Sequence, residues 1–306
     1  MRGMALRRGG RDATCDDCSV GERLLRDFLA AMPHTDRRLL MLDFDGTLSP
    51  LTPARERAIP YAGVSTRLTN LLDQSSTRVV VISGRSASEA HGLLGSHPAL
   101  EVWGVHGLEH RLPSGRVERA PVRAEAAEAL AAAVRWAQAR GFGDQVEEKY
   151  GAVALHWRAL SSEQAAIVRI SASDAWSSLA EQAGSELKAF DGGLELRAPG
   201  PNKGDVVRRV MTESLGADGG LTSMTGGGKD GASLAVAYLG DDLTDEDAFH
   251  SLRVGGYVSP GLLTLAVLVR PEWRPTKAQL WLRPPMELLS FLDRWVAADR
   301  PKEKSA

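Results

Sequence analysis

The strongest constraint on the fold is a recurring pattern in which short apolar runs stop abruptly at small and charged residues. Leu39-Leu40-Met41-Leu42 runs into Asp43, Phe44, Asp45 and Gly46. Arg78-Val79-Val80-Val81-Ile82 ends in Ser83-Gly84-Arg85, and Val236-Ala237-Tyr238-Leu239 ends in Gly240-Asp241-Asp242. Apolar character that is continuous rather than alternating predicts strands buried on both faces, as in a parallel sheet. Helical stretches lie between the runs, the clearest over 65–72, 86–94 and 203–215. Strand and helix therefore alternate, and the predicted class is α/β with a doubly wound parallel-sheet core. Ligands of such sheets bind beyond the carboxyl ends of the strands, where all three runs place their polar residues.

Residues 121–197 break the alternation. An Ala-rich helix over 122–140 ends at Gly141 and precedes strand patterns over 145–150 and 152–158. A second helix over 162–182 leads to strands over 186–190 and 193–197, joined through the hairpin signal Asp191-Gly192-Gly193. This α-β-β-α-β-β unit reads as an α+β module with an antiparallel sheet, inserted as a cap between two parts of the core. The expected division is a partly disordered N-terminal extension over 1–36, a core of 37–112 and 198–306, and a cap over 113–197. Within the extension, 20–32 reads as an amphipathic helix ended by Pro33. The glycine-rich stretch 216–233 reads as a surface loop, because it lacks the G-x-x-x-x-G-K-[ST] spacing of a phosphate loop.

Charge narrows the partners. With 37 Lys and Arg against 39 Asp and Glu, the formal charge is −2, so no basic footprint favours nucleic acid or an anionic membrane. Two cysteines, Cys15 and Cys18, cannot build a disulfide framework, and a lone C-x-x-C without a second pair reads as a solvated terminal segment. The apolar run 28–32 is too short for a signal peptide, and Leu262–Val269 falls far below the roughly 20 residues of a membrane span. The expected location is the cytoplasm, with no obligate protein partner.

Asp43 and Asp45 at a strand end can approach one point beyond the sheet. Such a pair suits Mg²⁺, which takes oxygen ligands and commonly combines one or two carboxylates with substrate phosphate. One carboxylate can attack phosphorus while the other protonates the leaving oxygen and then activates water. Taken alone, D-x-D is more often an acidic turn.

The chain carries more than that pair. Asp43-Phe44-Asp45-Gly46-Thr47-Leu48 resembles the first motif of the haloacid dehalogenase superfamily, and the remaining motifs follow in order: Ser83 with Gly84 and Arg85, Lys203 in Asn202-Lys203-Gly204, and Gly240-Asp241-Asp242 through Asp245. Within the superfamily the chain is similar to the trehalose-6-phosphate phosphatases. It shares Gly104-Val105-His106-Gly107-Leu108-Glu109, Glu148-Lys149, His156-Trp157-Arg158, Leu194-Glu195-Leu196-Arg197 and a closing segment around Thr276-Lys277-Ala278. The resemblance covers roughly residues 37–295.

It implies a nucleophile at Asp43, a general acid and base at Asp45, phosphoryl contacts from Ser83 and Lys203, and Mg²⁺ on Asp43, Asp45 and Asp241, supported by Asp242 and Asp245. It implies substrate contacts from Gly84, Arg85, His106 and Glu109 in the core and from Lys149, His156, Arg158, Glu195 and Arg197 in the cap. The residues themselves leave alternatives open. Glu195 and Arg197 share a strand face that could be its solvent side, His156 could be a satisfied core histidine, and Lys149 a surface charge. The expected activity is hydrolysis of trehalose 6-phosphate through an aspartyl-phosphate. The alternatives are another sugar phosphate, such as sucrose 6-phosphate or a glucosylglycerol phosphate, and a catalytically silent sugar-phosphate sensor. Trp157 departs from the family's usual Tyr and removes one hydroxyl.

Overall fold

The computed structural model describes residues 13–52, 58–158, 160–190, 192–215, 233–254 and 261–299, with the side chains of 13–19 and of Val254 outside the description. Two sheets organise the chain. The larger contains β1 (Arg37–Leu42), β2 (Arg78–Ile82), β3 (Glu101–Gly104), β4 (Glu109–Arg111) and β5 (Val117–Arg119). The smaller contains β6 (Val146–Lys149), β7 (Ala152–His156), β8 (Glu186–Phe190) and β9 (Gly193–Arg197). The chain then returns to the larger sheet with β10 (Leu234–Gly240), β11 (Leu262–Val269) and β12 (Leu280–Leu282). The order of the larger sheet is β12-β11-β10-β1-β2-β3-β4-β5, parallel from β12 to β3 and antiparallel over β4 and β5. That of the smaller is β6-β7-β9-β8, antiparallel throughout.

The doubly wound expectation holds because successive residues of the central strands point into different cores. Leu40 and Leu42 of β1 join Val79 and Val81 of β2 against α1 (Ala13–Ala31), α2 (Val64–Gln74) and α8 (Met286–Ala298), where Phe28, Leu71, Phe291 and Trp295 are buried. Leu39 and Met41 turn the other way with Val80 and Ile82, toward Val207 and Met211 of α6 (Lys203–Leu215) and Phe249 of α7 (Asp245–Val254). Strands apolar on both sides can only sit between two helical layers. A short helix, α3 (Ala87–Leu93), follows β2.

In the smaller sheet one face packs on helices and the other does not. Val153, Leu155, Leu194 and Leu196 meet α4 (Ala124–Gln138) and α5 (Ser162–Ala183) around the buried Trp176. The alternate positions Glu147, Lys149, His156, Glu195 and Arg197 therefore share the helix-free face. This is the α-β-β-α-β-β unit read from the sequence.

Some boundaries differ. The larger sheet runs on to Arg119, so residues 113–119, assigned from sequence to the inserted module, belong to a hairpin on the edge of that sheet. The first helix begins at Ala13 rather than at residue 20, and Leu25, Phe28 and Leu29 bury its apolar face in the core. Cys15 and Cys18 fall in its first turns, with side chains outside the described residues; the glycine-rich stretch over 216–232 also lies outside them. Among the described residues, no helix is long and apolar enough to cross a membrane.

Candidate active site

After β2 and β3 the chain goes to one side of β1, and after α6 it returns on the other as β10. This change of direction opens a crevice at the carboxyl ends of β1, β2 and β10, the place where such sheets bind ligands. Asp43, Ser83 and Asp241 are the residues that follow these strands, and the Asp43 amide bonds the Leu239 carbonyl of β10 at 2.9 Å. Lys203 opens α6. Its position is set by reciprocal capping, Asn202 N–H donating to Asp205 and Asp205 N–H to Asn202 at 2.9 and 3.0 Å.

Lys203 Nζ donates to Asp43 Oδ1 and to Asp245 Oδ1, both at 2.7 Å, and all three side chains are almost wholly buried. Thr47 adds a hydrogen bond to Asp43 Oδ2 at 3.1 Å. Asp43, Asp241 and Asp245 present oxygens within 4.8 Å of one another. At an effective dielectric near 20, each such pair of charges repels by about 3 kcal/mol, and one ammonium cannot offset three carboxylates. Titration follows the imbalance. Burial, only partly opposed by Lys203, pushes the Asp43 pKa up to about 8, and burial with Asp43 and Asp245 nearby raises that of Asp241 well above the ordinary range. For Lys203, burial works against the charge, but Asp245 and Asp43 outweigh it and hold its pKa far above that of a free lysine.

Two of these carboxylates differ in what remains to be bound. Asp245 accepts from Lys203, from Tyr238 Oη at 2.5 Å and from the amides of Asp241 and Asp242, so it anchors the lysine and the loop. Asp241 Oδ2 is buried and lacks a hydrogen-bond partner. A Cβ on Gly46 would fall 2.1 Å from that oxygen, and Gly46 has φ +87°, so only glycine lets the two loops close. An unpartnered buried oxygen beside an anionic neighbour is a fitting ligand for a hard cation. Asp242 Oδ1 instead accepts from the Thr244 amide and hydroxyl within its own turn; burial opposes its charge, but Lys203 and Thr244 bring its pKa down to about 2.

The other residues expected at the site divide into two groups. Asp45 lies outside the acidic cluster and accepts from Arg85 Nε and Nη2 at 2.9 and 2.7 Å. Arg85 is itself fully buried, also bonds Glu89, and rests over the Phe44 ring. Ser83 Oγ is buried and accepts from the Arg85 amide; Gly84 lies between them. Glu109 is engaged by the Ala87 amide and by Arg119, both at 3.0 Å, rather than facing the smaller sheet.

His106 does bridge the two sheets. It and Val105 have φ of +56° and +47°, a left-handed pair held by Val105 N–H to the Arg85 carbonyl and His106 N–H to the Ser83 carbonyl. Such backbone costs roughly 1–3 kcal/mol per residue and persists where the surroundings enforce it. It carries the His106 ring to Glu195 of β9, Nε2 to Oε2 at 3.7 Å, and burial lowers the ring's pKa. Glu195 also accepts from Lys149 at 3.0 Å; burial opposes its charge, but these two partners hold its pKa well below the carboxylate range. Around them, Glu147 bridges His156 at 3.0 Å and Lys149 at 3.6 Å, Arg197 pairs with Glu186 at 2.6 Å, and Arg158 donates to the Thr52 carbonyl of the core at 3.3 Å. Glu147 and Tyr238 were not singled out from the sequence. Glu147 stands two residues before Lys149 on one strand, so alternation alone places it on the same face.

A parallel-sheet core with paired carboxylates and a buried lysine at its strand ends, faced by an inserted α+β module, is the architecture of the haloacid dehalogenase superfamily. The fold is shared with the C-terminal domain of Candida albicans trehalose-6-phosphate phosphatase, at a TM-score of 0.70 and 22% identity over 90% of this chain and 98% of that one. Residues 41–272 match the trehalose-phosphatase family. A probable trehalose-phosphate phosphatase of Sinorhizobium fredii is 29% identical, with 79% of this chain and 83% of that protein aligned. The trehalose-phosphate phosphatase of Mycobacterium avium is 33% identical over 83% of this chain, which spans 61% of that relative's length. The chain belongs to the trehalose-phosphatase family.

Proposed function

We propose that the protein hydrolyses trehalose 6-phosphate to trehalose and phosphate, with the larger sheet as the catalytic core and the module around the smaller sheet as a cap that selects the sugar. The observation that carries this reading is the buried Asp43, held by Lys203 next to the unpartnered oxygen of Asp241, at the carboxyl ends of adjacent strands.

Asp43 Oδ attacks phosphorus in line, and the phosphorus–oxygen bond to the sugar breaks as the aspartyl-phosphate forms. Asp45 gives its proton to the departing sugar oxygen and later takes one from the water that cleaves the acyl phosphate. Lys203 and the Ser83 hydroxyl bind the equatorial phosphoryl oxygens, and the first turn of α6 directs its positive dipole end to the same place. Asp43 and Asp241 would hold Mg²⁺, with Asp242 and Asp245 in support, whereas Asp45, expected from sequence as a third ligand, lies outside that cluster in its pair with Arg85; the ion would neutralise phosphoryl charge. In the cap, Lys149, Glu195, His156, Arg158 and Arg197, with His106 from the core, bind sugar hydroxyls, for which carboxylates accept and ammonium or guanidinium groups donate, while Glu109, turned to Ala87 and Arg119, takes no part. Gly84 and Arg85 line the phosphate end. A sugar-phosphate substrate and a chain with only two cysteines favour a reducing compartment, the cytoplasm, for this reaction.

A silent sensor would gain nothing from three mutually repelling carboxylates beside a phosphate. The test is phosphate release from a panel of sugar phosphates with and without Mg²⁺. Release from trehalose 6-phosphate that depends on Mg²⁺ is expected; no release from any substrate overturns enzymatic function, and preference for another sugar overturns the substrate alone.

A further inference from the structure

On the helix-free face of the smaller sheet, Phe190 of β8 and Gly193 of β9 stand directly opposite one another. Gly193 does not have a positive φ, so the turn does not require glycine there. Glycine inside a strand gives up side-chain packing and marks a place where something approaches the backbone closely. Here that is the Phe190 ring: a Cβ on Gly193 would lie 1.9 Å from Cζ and 2.4 Å from Cε2. The ring therefore lies across bare backbone, with the His156 ring edge-on at 5.3 Å and 66°. Its residue is still 38% exposed, the only exposed aromatic of the cap among the described residues.

The position of this ring relative to the site gives it a use. Glu195, on the same face, reaches His106, whose amide bonds the Ser83 carbonyl at the phosphate end. Gly193 is two residues from Glu195, about 7 Å along the strand, which is comparable to one pyranose ring. Beside Gly192, Arg158 reaches across to Thr52 of the core. Phe190 thus stands on the same face as two points at which cap and core meet, with His156 against its ring and Glu195 on the neighbouring strand.

We infer that Phe190 is a stacking platform for the sugar ring remote from the phosphate, and that it determines specificity for disaccharide over monosaccharide phosphates. The inference rests on the sugar-phosphate reading of the site. The C–H face of a pyranose covers an aromatic face while its edge hydroxyls meet the charged groups around it, and a ring already backed by a strand loses little freedom on binding.

Steady-state hydrolysis of trehalose 6-phosphate by the wild type, Phe190→Tyr and Phe190→Leu, with competitive inhibition by orthophosphate, tests it. Phe190→Leu keeps apolar bulk but removes the flat face, and is expected to raise KM roughly three- to tenfold. Phe190→Tyr should stay within about twofold, and kcat and the inhibition constant for orthophosphate should hold within about twofold in both variants. A Phe190→Leu enzyme with wild-type KM overturns the platform, as does one in which kcat and orthophosphate inhibition change together with KM. A wild type that does not turn over trehalose 6-phosphate overturns the substrate reading, and the platform with it.

Discussion

Glu101 and Asp43 are buried carboxylates of one sheet, at the amino end of one strand and just past the carboxyl end of another, and their surroundings could hardly differ more. Glu101, at the amino end of β3, accepts from Arg78 Nε and Nη2, from Trp103 Nε1 and from His110 Nε2, all within 3.2 Å. Burial opposes its charge, but these bonds bring its pKa down to about 2. Asp43, at the carboxyl end of β1, shares one lysine with Asp245, has Asp241 beside it, and has its pKa pushed up to about 8. A carboxylate whose lone pairs are all engaged stabilises the fold and can do little else. One left with excess charge costs stability and is ready for a cation or a phosphoryl group.

The comparison can be broken in four places. The largest effect is expected from Asp43→Asn, which should lower phosphate release by at least about a thousandfold, as loss of a nucleophile does, without lowering the melting temperature. Phosphate assays beside thermal denaturation check it, and near-wild-type turnover would remove Asp43 from its role. Next, chelation should abolish turnover, and Mg²⁺ at about a hundred times its Kd should stabilise the protein by about 2.7 kcal/mol. That stabilisation should vanish in Asp241→Asn if the unpartnered oxygen is the ligand, which differential scanning calorimetry reads directly.

At the satisfied end, Glu101→Gln should cost about 3 kcal/mol of stability at neutral pH while leaving turnover within about twofold. Because the folded pKa lies below the unfolded one, this stability is complete above about pH 4.5 and is lost as pH falls toward 2, so the variant's acid limb should be flatter in urea titrations. The smallest effect belongs to the cap. Glu195→Gln leaves Lys149 and His106 poorly paired and should raise KM about tenfold with a lesser change in kcat, measured by initial rates. A large kcat effect instead would move Glu195 from sugar recognition toward the chemistry.

Much of the catalytic end was legible because each group sits where an apolar run stops. Asp43, Ser83 and Asp241 follow buried strands, Lys203 begins a capped helix, and local pattern reports both facts. The Glu101 cluster was not legible, since Arg78, Glu101, Trp103 and His110 meet only through the pairing of β2, β3 and β4. Nor was the pairing of Asp45 with Arg85, which depends on how two loops from adjacent strands fold over one another. His106 was named by motif, but its reach to Glu195 follows from a left-handed backbone that no apolar period encodes.

The sequence by itself determined the alternation of strand and helix, the strand ends at which the candidate site lies, and which residues of the inserted sheet share a face. These follow from residue type and spacing, because burial periodicity acts over a few neighbouring positions. Only the tertiary structure decided which carboxylate remained short of partners, which was saturated, and where the cap touches the core. The reason is that hydrogen-bond satisfaction and net local charge depend on groups separated by tens to hundreds of residues, such as Asp43 and Lys203.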